Sequence, residues 1–247
     1  MNDCSPSIAL SAIDEARFGV RTARANGVTA SSVPEILAFC EANGTELLIA
    51  RCPATEIRTA QVLEQQGFLL MDTLVYYVRD LAARPVPMDT GSVPVRAFRS
   101  GEEAGVRAVA REAFRGYAGH YHADPRLDPA KCDEAYLSWA ERSCISPGVA
   151  DAVLVAVSED TIEGFLTLRL NSPDEVEGIL NGVLPEVQGR GIYRSLLIRG
   201  MEWSLGRGAR SMLISTQLTN TAAQKVWTRL GFEPNNACYT LHKWFAR

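Results

Sequence analysis

Residues 183–193 read Val-Leu-Pro-Glu-Val-Gln-Gly-Arg-Gly-Ile-Tyr: the end of an apolar strand, a glycine-rich turn and the start of a helix. Such a turn aims backbone N–H groups outward at a helix N-terminus, where the peptide dipoles favour negative charge, so the chemistry it offers is phosphate binding. No Gly-Lys-Ser/Thr follows, which excludes the Walker loop, and the three-glycine spacing of the dinucleotide fingerprint is absent. Two glycines also serve a plain strand-to-helix turn, because glycine tolerates positive φ at low cost. Elsewhere, residues 116–126 (Gly-Tyr-Ala-Gly-His-Tyr-His-Ala-Asp-Pro-Arg) gather titratable and aromatic groups in one loop. No Ser/His/Asp triad and no metal-ligand spacing competes with these stretches.

Composition narrows the classes. The chain has 247 residues, 47% apolar and 22% charged, with a net charge of -4. That length suits two small domains, and the apolar share supports a core. The absence of a basic run argues against nucleic acid as a partner. No apolar run is long enough for a bilayer, and the N-terminus lacks a basic segment followed by an apolar one, so the expected location is the cytoplasm. The cysteines at 4, 40, 52, 132, 144 and 238 are scattered, as expected for thiols in a reducing compartment and not for a zinc site or a disulfide framework.

The elements that must position these groups follow from periodicity and punctuation. Prolines, a glycine and polar residues at 81–92 interrupt the pattern and divide the chain into residues 1–82, a linker at 83–92 and residues 93–247. In the first part the expected order is strand, helix, strand, helix, strand: after the first strand a helix opens near Ser32, a candidate N-cap, with Ile36, Leu37 and Cys40 on its apolar side. Strands are expected at 46–50 and 73–78, around a helix at 56–66 that Gly67 ends. In the second part, strands are expected at 93–98, 152–157, 163–170, 175–183, 212–217 and 237–244, with helices at 102–115, 129–142, 189–206 and 221–230. The fold class is therefore α/β, a mixed sheet with helices on its faces. Residues 47–68 and 212–232 echo each other as strand, helix and Gly-Phe, which fits either an internal duplication or shared chain mechanics.

The glycine turn does not stand alone. Gln188-Gly189-Arg190-Gly191-Ile192-Tyr193 resembles the Gln/Arg-x-x-Gly-x-Gly/Ala loop of the GCN5-related N-acetyltransferases (GNAT). Asn220-Thr-Ala-Ala-Gln-Lys-Val-Trp227-Thr-Arg-Leu-Gly231-Phe232 resembles the last helix of that family, Asn-x-x-Ala-x-x-x-Tyr-x-x-x-Gly-Phe. The resemblance covers residues 93–245 and implies the GNAT acyl-CoA N-acyltransferase fold there. A narrower one rests on Phe18-Gly19-Val20, Leu63-Glu-Gln-Gln-Gly-Phe68, the aromatic loop before Trp139, and Ile214-Ser-Thr-Gln-Leu-Thr-Asn220. These are similar to the TDP-fucosamine acetyltransferase group of sugar-nucleotide N-acetyltransferases, which place a truncated GNAT-like half-domain ahead of the catalytic one.

The resemblance implies acetyl-CoA as cosubstrate, no metal, and an amine attacking the thioester directly through a tetrahedral intermediate. It implies a role in polysaccharide biosynthesis, with a nucleotide-linked amino sugar as acceptor. Another small amine, a protein N-terminus, or a CoA-binding module with little catalysis stand as alternatives, as does a homodimer through the N-terminal part. Backbone groups of Gln188, Gly189, Arg190, Gly191, Ile192 and Tyr193 are implied to hold the CoA pyrophosphate, with Arg190 either adding a charged contact or simply solvated. Gly182 and Val183 are implied to pair with the pantetheine arm and polarise the thioester carbonyl. Asn220 is implied to contact the cofactor, and it also suits a helix N-cap. The family's tyrosine acid is replaced by Trp227, whose indole N–H donates a hydrogen bond but supplies no proton, leaving a cofactor contact or a packing role. Tyr193 stands where a small residue is usual. Candidate bases are His120, His122 and Glu177, the last sharing a strand face with Ile179, Asn181 and Val183 by alternation. Tyr117, His120, Tyr121, His122 and Asn181 are the candidate acceptor-binding residues, and Asp124 and Arg126 are further polar groups of the same loop.

Overall fold

The computed structural model describes residues 6–246, so Cys4 lies outside the described residues. The N-terminal half contains β1 (Ser7–Leu10), α1 (Ala12–Phe18), β2 (Thr22–Asn26), α2 (Val33–Ala42), β3 (Leu47–Pro53), α3 (Ile57–Gln65) and β4 (Leu69–Asp80). The rest contains β5 (Val95–Ala97), α4 (Glu103–Ala113), α5 (Pro129–Ile145), β6 (Ala152–Ser158), β7 (Thr161–Ser172), β8 (Glu175–Val183), α6 (Ile192–Gly206), β9 (Ser211–Gln217), α7 (Thr221–Arg229) and β10 (Glu233–Trp244). No helix among the described residues is long and apolar enough to cross a membrane.

All ten strands join one mixed sheet in the order β1-β2-β3-β10-β4-β9-β8-β7-β6-β5. Neighbours are antiparallel except β2 with β3 and β8 with β9. The echo seen in the sequence has a structural counterpart. In both copies the helix closes with a six-residue loop-back, Phe68 N–H to Leu63 carbonyl and Phe232 N–H to Trp227 carbonyl, across a glycine at φ +79° or +82°. That is the Schellman ending, which needs a left-handed residue. The strands that follow then cross over: β10 pairs with β3, β4 pairs with β9, and β4 and β10 pair with each other. Each copy thus closes the other's sheet.

The sheet buries both faces, as alternation on its strands records. Leu154 and Ala156 of β6 pack with α6, whereas Val153 and Val155 pack beneath α4 and α5. On β3, Leu48, Ala50 and Cys52 join the core under α2 and α3, while Leu47 and Ile49 point the other way, into the core of α4 and α5. The core therefore runs past residues 83–92 without a break. That segment is itself pinned to the first turn of α6: Arg194 donates to the Met88 carbonyl (2.9 Å) and Ser195 to Asp89 (2.8 Å).

Three expectations need correction. Residues 7–26 hold β1, α1 and β2, where a single strand is expected ahead of the helix near Ser32. Ser32 precedes α2 but makes no side-chain cap; its hydroxyl accepts the Thr29 N–H at 3.0 Å instead. The helix expected from residue 189 starts at Ile192, because Gly189 and Gly191 sit at φ +81° and +85° and a short 3-10 turn, Pro185–Val187, precedes them.

Candidate active site

The site begins where two parallel strands part. The β8–β9 ladder runs from Glu175↔Ser211 to Gly178↔Ile214 and stops, although β8 continues to Val183 and β9 to Gln217. Just beyond Gly178 the β7–β8 register skips Ile179, a bulge that turns the strand. The backbone edges of 179–183 and 215–217 then face each other across a gap. Gly182 lines β8 under α4 so tightly that a Cβ there would meet Ala113 at 2.9 Å.

At the outer end of β8 lies the loop. Gln188, Gly189, Arg190 and Gly191 are exposed, and Gln188 folds back to donate to the Val183 carbonyl at 3.2 Å. Gly191 occupies the N-cap of α6 with no capping side chain, and the first intrahelical bond is Ser195 N–H to the Gly191 carbonyl at 3.0 Å. The N–H groups of Ile192, Tyr193 and Arg194 thus have no intrahelical partner, which is the anion-binding arrangement of a helix start. The Ile192 side chain is buried in the core beneath the loop.

The two departures from the family pattern meet. Trp227 Nε1 donates to the Tyr193 hydroxyl at 2.7 Å, and the indole is buried against Tyr77, ring centroids 5.3 Å apart. Trp227 is 1% exposed, so it is a packing residue between α6 and α7 with its N–H already engaged. Burial pushes the Tyr193 phenol far up, and the Trp227 hydrogen bond only partly offsets it.

At the inner end of the gap is a cavity of about 410 Å³. Both halves of the chain line it. Tyr117, His120, Tyr121, Glu177, Asn181 and Asn220, all singled out from sequence, are on its wall. His122 is not; it bonds Asp133 on α5 at 3.0 Å. Glu177 is held by Arg169 (2.9 Å) and Asn171 (3.1 Å). Asn220 caps α7 by accepting the Ala223 N–H at 3.2 Å while its amide donates to Thr216 at 3.0 Å. Burial raises the Tyr117 phenol to about 12.

The sequence reading missed the contribution of the N-terminal half. Arg17, Arg24, Arg51 and Asp72 reach the cavity from α1, β2, β3 and β4. Asp14, fully buried, ties two of these arginines to Tyr121: it accepts from Arg24 Nε (2.6 Å), Arg17 (3.5 Å), Tyr121 (2.7 Å) and Ser11 (2.6 Å). Burial alone would raise its pKa, but the hydrogen bonds and charge of Arg24, with Ser11 and Tyr121, hold it below the usual carboxylate range. Arg24 also donates to Tyr121. With Arg142 and Arg169, five guanidinium groups line the cavity against the carboxylates of Asp72 and Glu177. Three lining groups have buried atoms with no hydrogen-bond partner in the protein: both Asp72 oxygens, Arg51 Nε and Gln217 Oε1. Leaving such an atom unpaired costs about 1–3 kcal/mol, so the set is shaped for a ligand offering both donors and acceptors.

Residues 112–232 match the acetyltransferase (GNAT) family. The chain is 26% identical over 195 residues to the dTDP-fucosamine acetyltransferase of Escherichia coli O6:H1, covering 78% of this chain and 80% of that one. It is 26% identical over 205 residues to the spore coat polysaccharide biosynthesis protein SpsD of Bacillus subtilis, covering 81% and 67%. To the mycothiol acetyltransferase of Saccharopolyspora erythraea it is 31% identical over 140 residues, covering 57% of this chain and 43% of that one. Among solved structures, a GCN5-related N-acetyltransferase from Sphaerobacter thermophilus superposes with a TM-score of 0.66 at 17% identity, covering 96% of this chain and 76% of that one. It shares the fold.

Proposed function

The chain belongs to the acetyltransferase (GNAT) family, and from that premise we propose that it moves an acetyl group from acetyl-CoA to the primary amine of a nucleotide-linked amino sugar. One observation carries this reading: the gap between β8 and β9 joins the uncapped N-terminus of α6 to a cavity lined by unpaired polar groups. The helix start takes the pyrophosphate, with Arg190 beside it. The free edge at Gly182 and Val183 takes the pantetheine arm as an added strand, and a backbone N–H there polarises the thioester carbonyl.

The acceptor lies in the cavity. Asp72 and Gln217 Oε1 receive its ammonium and hydroxyl donors, and Arg51 receives a phosphate oxygen. The excess of guanidinium over carboxylate favours an anionic acceptor, which a sugar nucleotide is and a polyamine is not. The relatives named for dTDP-fucosamine and for spore coat polysaccharide support the same class. Catalysis then consists chiefly of holding amine and thioester together. With the Trp227 N–H engaged by Tyr193, the thiolate departs on its own acidity, near ~8.5 for a cysteine-like thiol. The N-terminal residues 1–82 are read as a GNAT-like half-domain whose part in the site is acceptor recognition.

Thiol release from acetyl-CoA, measured with TDP-linked 4-amino sugars, polyamines and peptides in parallel, tests the proposal. Turnover confined to the amino sugars is expected. Turnover of a peptide with none of any amino sugar overturns the acceptor, and acetyl-CoA binding without turnover of any amine points to the non-catalytic module.

A further inference from the structure

Behind the cavity wall, three buried side chains form a single file of hydrogen bonds. Asp124 Oδ2 bonds His242 Nδ1 at 2.7 Å and accepts from Trp244 Nε1 at 2.8 Å, while Asp124 Oδ1 accepts the backbone N–H of Arg126 at 3.0 Å. The other nitrogen of His242, Nε2, meets His120 Nδ1 at 3.0 Å. Asp124 is 2% exposed and His242 1%, whereas His120 is on the cavity wall. The file links residues 116–126 to β10, so His242 and Trp244 lie beyond residues 112–232, which match the family.

The fixed end of the file dictates where the protons are. An indole N–H and a peptide N–H only donate, so Asp124 accepts at both oxygens. Burial works against its charge, but the bonds from His242, Trp244 and Arg126 outweigh it and keep the carboxyl below its usual range. An ionised Asp124 requires the hydrogen on His242 Nδ1. With both rings neutral, His242 Nε2 is bare and accepts the proton on His120 Nδ1. That leaves His120 Nε2, the nitrogen outside the file, as an unprotonated lone pair. His120 is held neutral first by burial, then by Arg51 on β3, His242 on β10, Arg24 on β2 and His122 in its own loop.

From this file we infer that His120 is the general base that deprotonates the acceptor amine, and that His242 and Asp124 are positioning residues that fix its tautomer and take over its charge. The inference rests on the acetyltransferase reading above. The acceptor ammonium gives one proton to His120 Nε2, and the Nδ1 proton of His120 passes to His242 Nε2. The positive charge then rests on His242 beside the Asp124 carboxylate, away from Arg51 and Arg24. The freed amine lone pair forms the C–N bond to the thioester carbon and the C–S bond breaks. The second amine proton goes to the departing thiolate. After product leaves, the file returns its proton through His120 Nε2 to solvent.

Two measurements test this on the intact chain. Nitrogen-15 NMR of histidine-labelled protein should show His120 protonated at Nδ1 and bare at Nε2, with the tautomer disturbed in Asp124→Asn. In kinetics, His120→Gln should lower kcat by roughly 10²–10⁴-fold at neutral pH, with acetyl-CoA affinity unchanged and part of the loss recovered at high pH, where the amine is already free. Asp124→Asn should lower kcat more than KM and move the rise of kcat to higher pH. A His120 ring protonated at Nε2, or a folded His120→Gln with normal kcat, overturns the inference. A wild-type chain that has the expected tautomer and binds acetyl-CoA but turns over no amine overturns the acetyltransferase reading, and this inference with it.

Discussion

The loop at residues 188–191 offers a ligand backbone, while the cavity 410 Å³ in size offers side chains. In the loop, two left-handed glycines and one uncapped helix start are contiguous, and only Arg190 adds a charge. In the cavity, Arg51 of β3, Asp72 of β4, His120 of the 116–126 loop and Gln217 of β9 come from positions far apart in the chain. A backbone site accepts any ligand with the right phosphate, so it suits a donor shared by a whole family. A side-chain site discriminates by a ligand's own functional groups, so under the proposed function it takes the acceptor. The crossing of β4 and β10 lets the two coexist, because it carries N-terminal side chains to the edge of the split between β8 and β9.

The strongest way to break this division is through Asp14, which holds Arg24 and Tyr121 beside the cavity and makes no hydrogen bond to the 188–191 loop. Asp14→Ala leaves Arg24 without its buried partner and should cost about 3–5 kcal/mol in equilibrium unfolding by urea. Acceptor turnover should fall, with acetyl-CoA affinity of the folded fraction retained. The sign of the pH effect follows. Asp14 and Asp124 are more acidic folded than unfolded, so the unfolded chain protonates first. Their stabilisation is complete above about pH 4 and is lost as pH falls through their folded values. Thermal melts from neutral to acid pH should be flatter at the acid end for the variant than for the wild type.

Gly191→Val tests the donor end. A β-branched residue at φ +85° costs about 1–2 kcal/mol. If that distorts the helix start, acetyl-CoA should bind roughly tenfold more weakly, with acceptor KM unchanged. A variant that alters acceptor KM instead shows that the two ends are not separable.

A third variant series addresses the Tyr193–Trp227 pair. Tyr193→Phe strands a buried indole N–H and should cost about 1–3 kcal/mol, whereas adding Trp227→Phe should return part of that loss. Additive melting shifts in the double variant would show that the two side chains are not energetically coupled.

The same division explains what was legible in the sequence. The loop and the helix from Asn220 to Phe232 are local motifs, so spacing alone exposed them. Alternation placed Glu177, Ile179, Asn181 and Val183 on one face; the first three line the cavity, whereas Val183, past the bulge at Ile179, is buried in the core. His242 gave no such signal, because its partner Asp124 is 118 residues away and nothing in an alternating strand reports what the strand faces. Residues 7–26 read as one strand where the fold has two and a helix, because β1 has four residues and α1 seven, too few to display a period. Their punctuation was present all the same: Ser11 caps α1 through Asp14 N–H, and Gly19 ends it at φ +72°. Arg51 and Asp72 lie one residue outside the strands expected at 46–50 and 73–78, and only the crossover of β4 and β10 brings them to the site.

The division of labour is tested most directly by steady-state kinetics of Arg51→Met with a TDP-linked 4-amino sugar, alongside titration of the same variant with acetyl-CoA. Loss of a charged contact from the N-terminal half should raise acceptor KM by roughly 10–100-fold while acetyl-CoA affinity stays at the wild-type value. Unchanged acceptor KM with weakened acetyl-CoA binding would contradict the account.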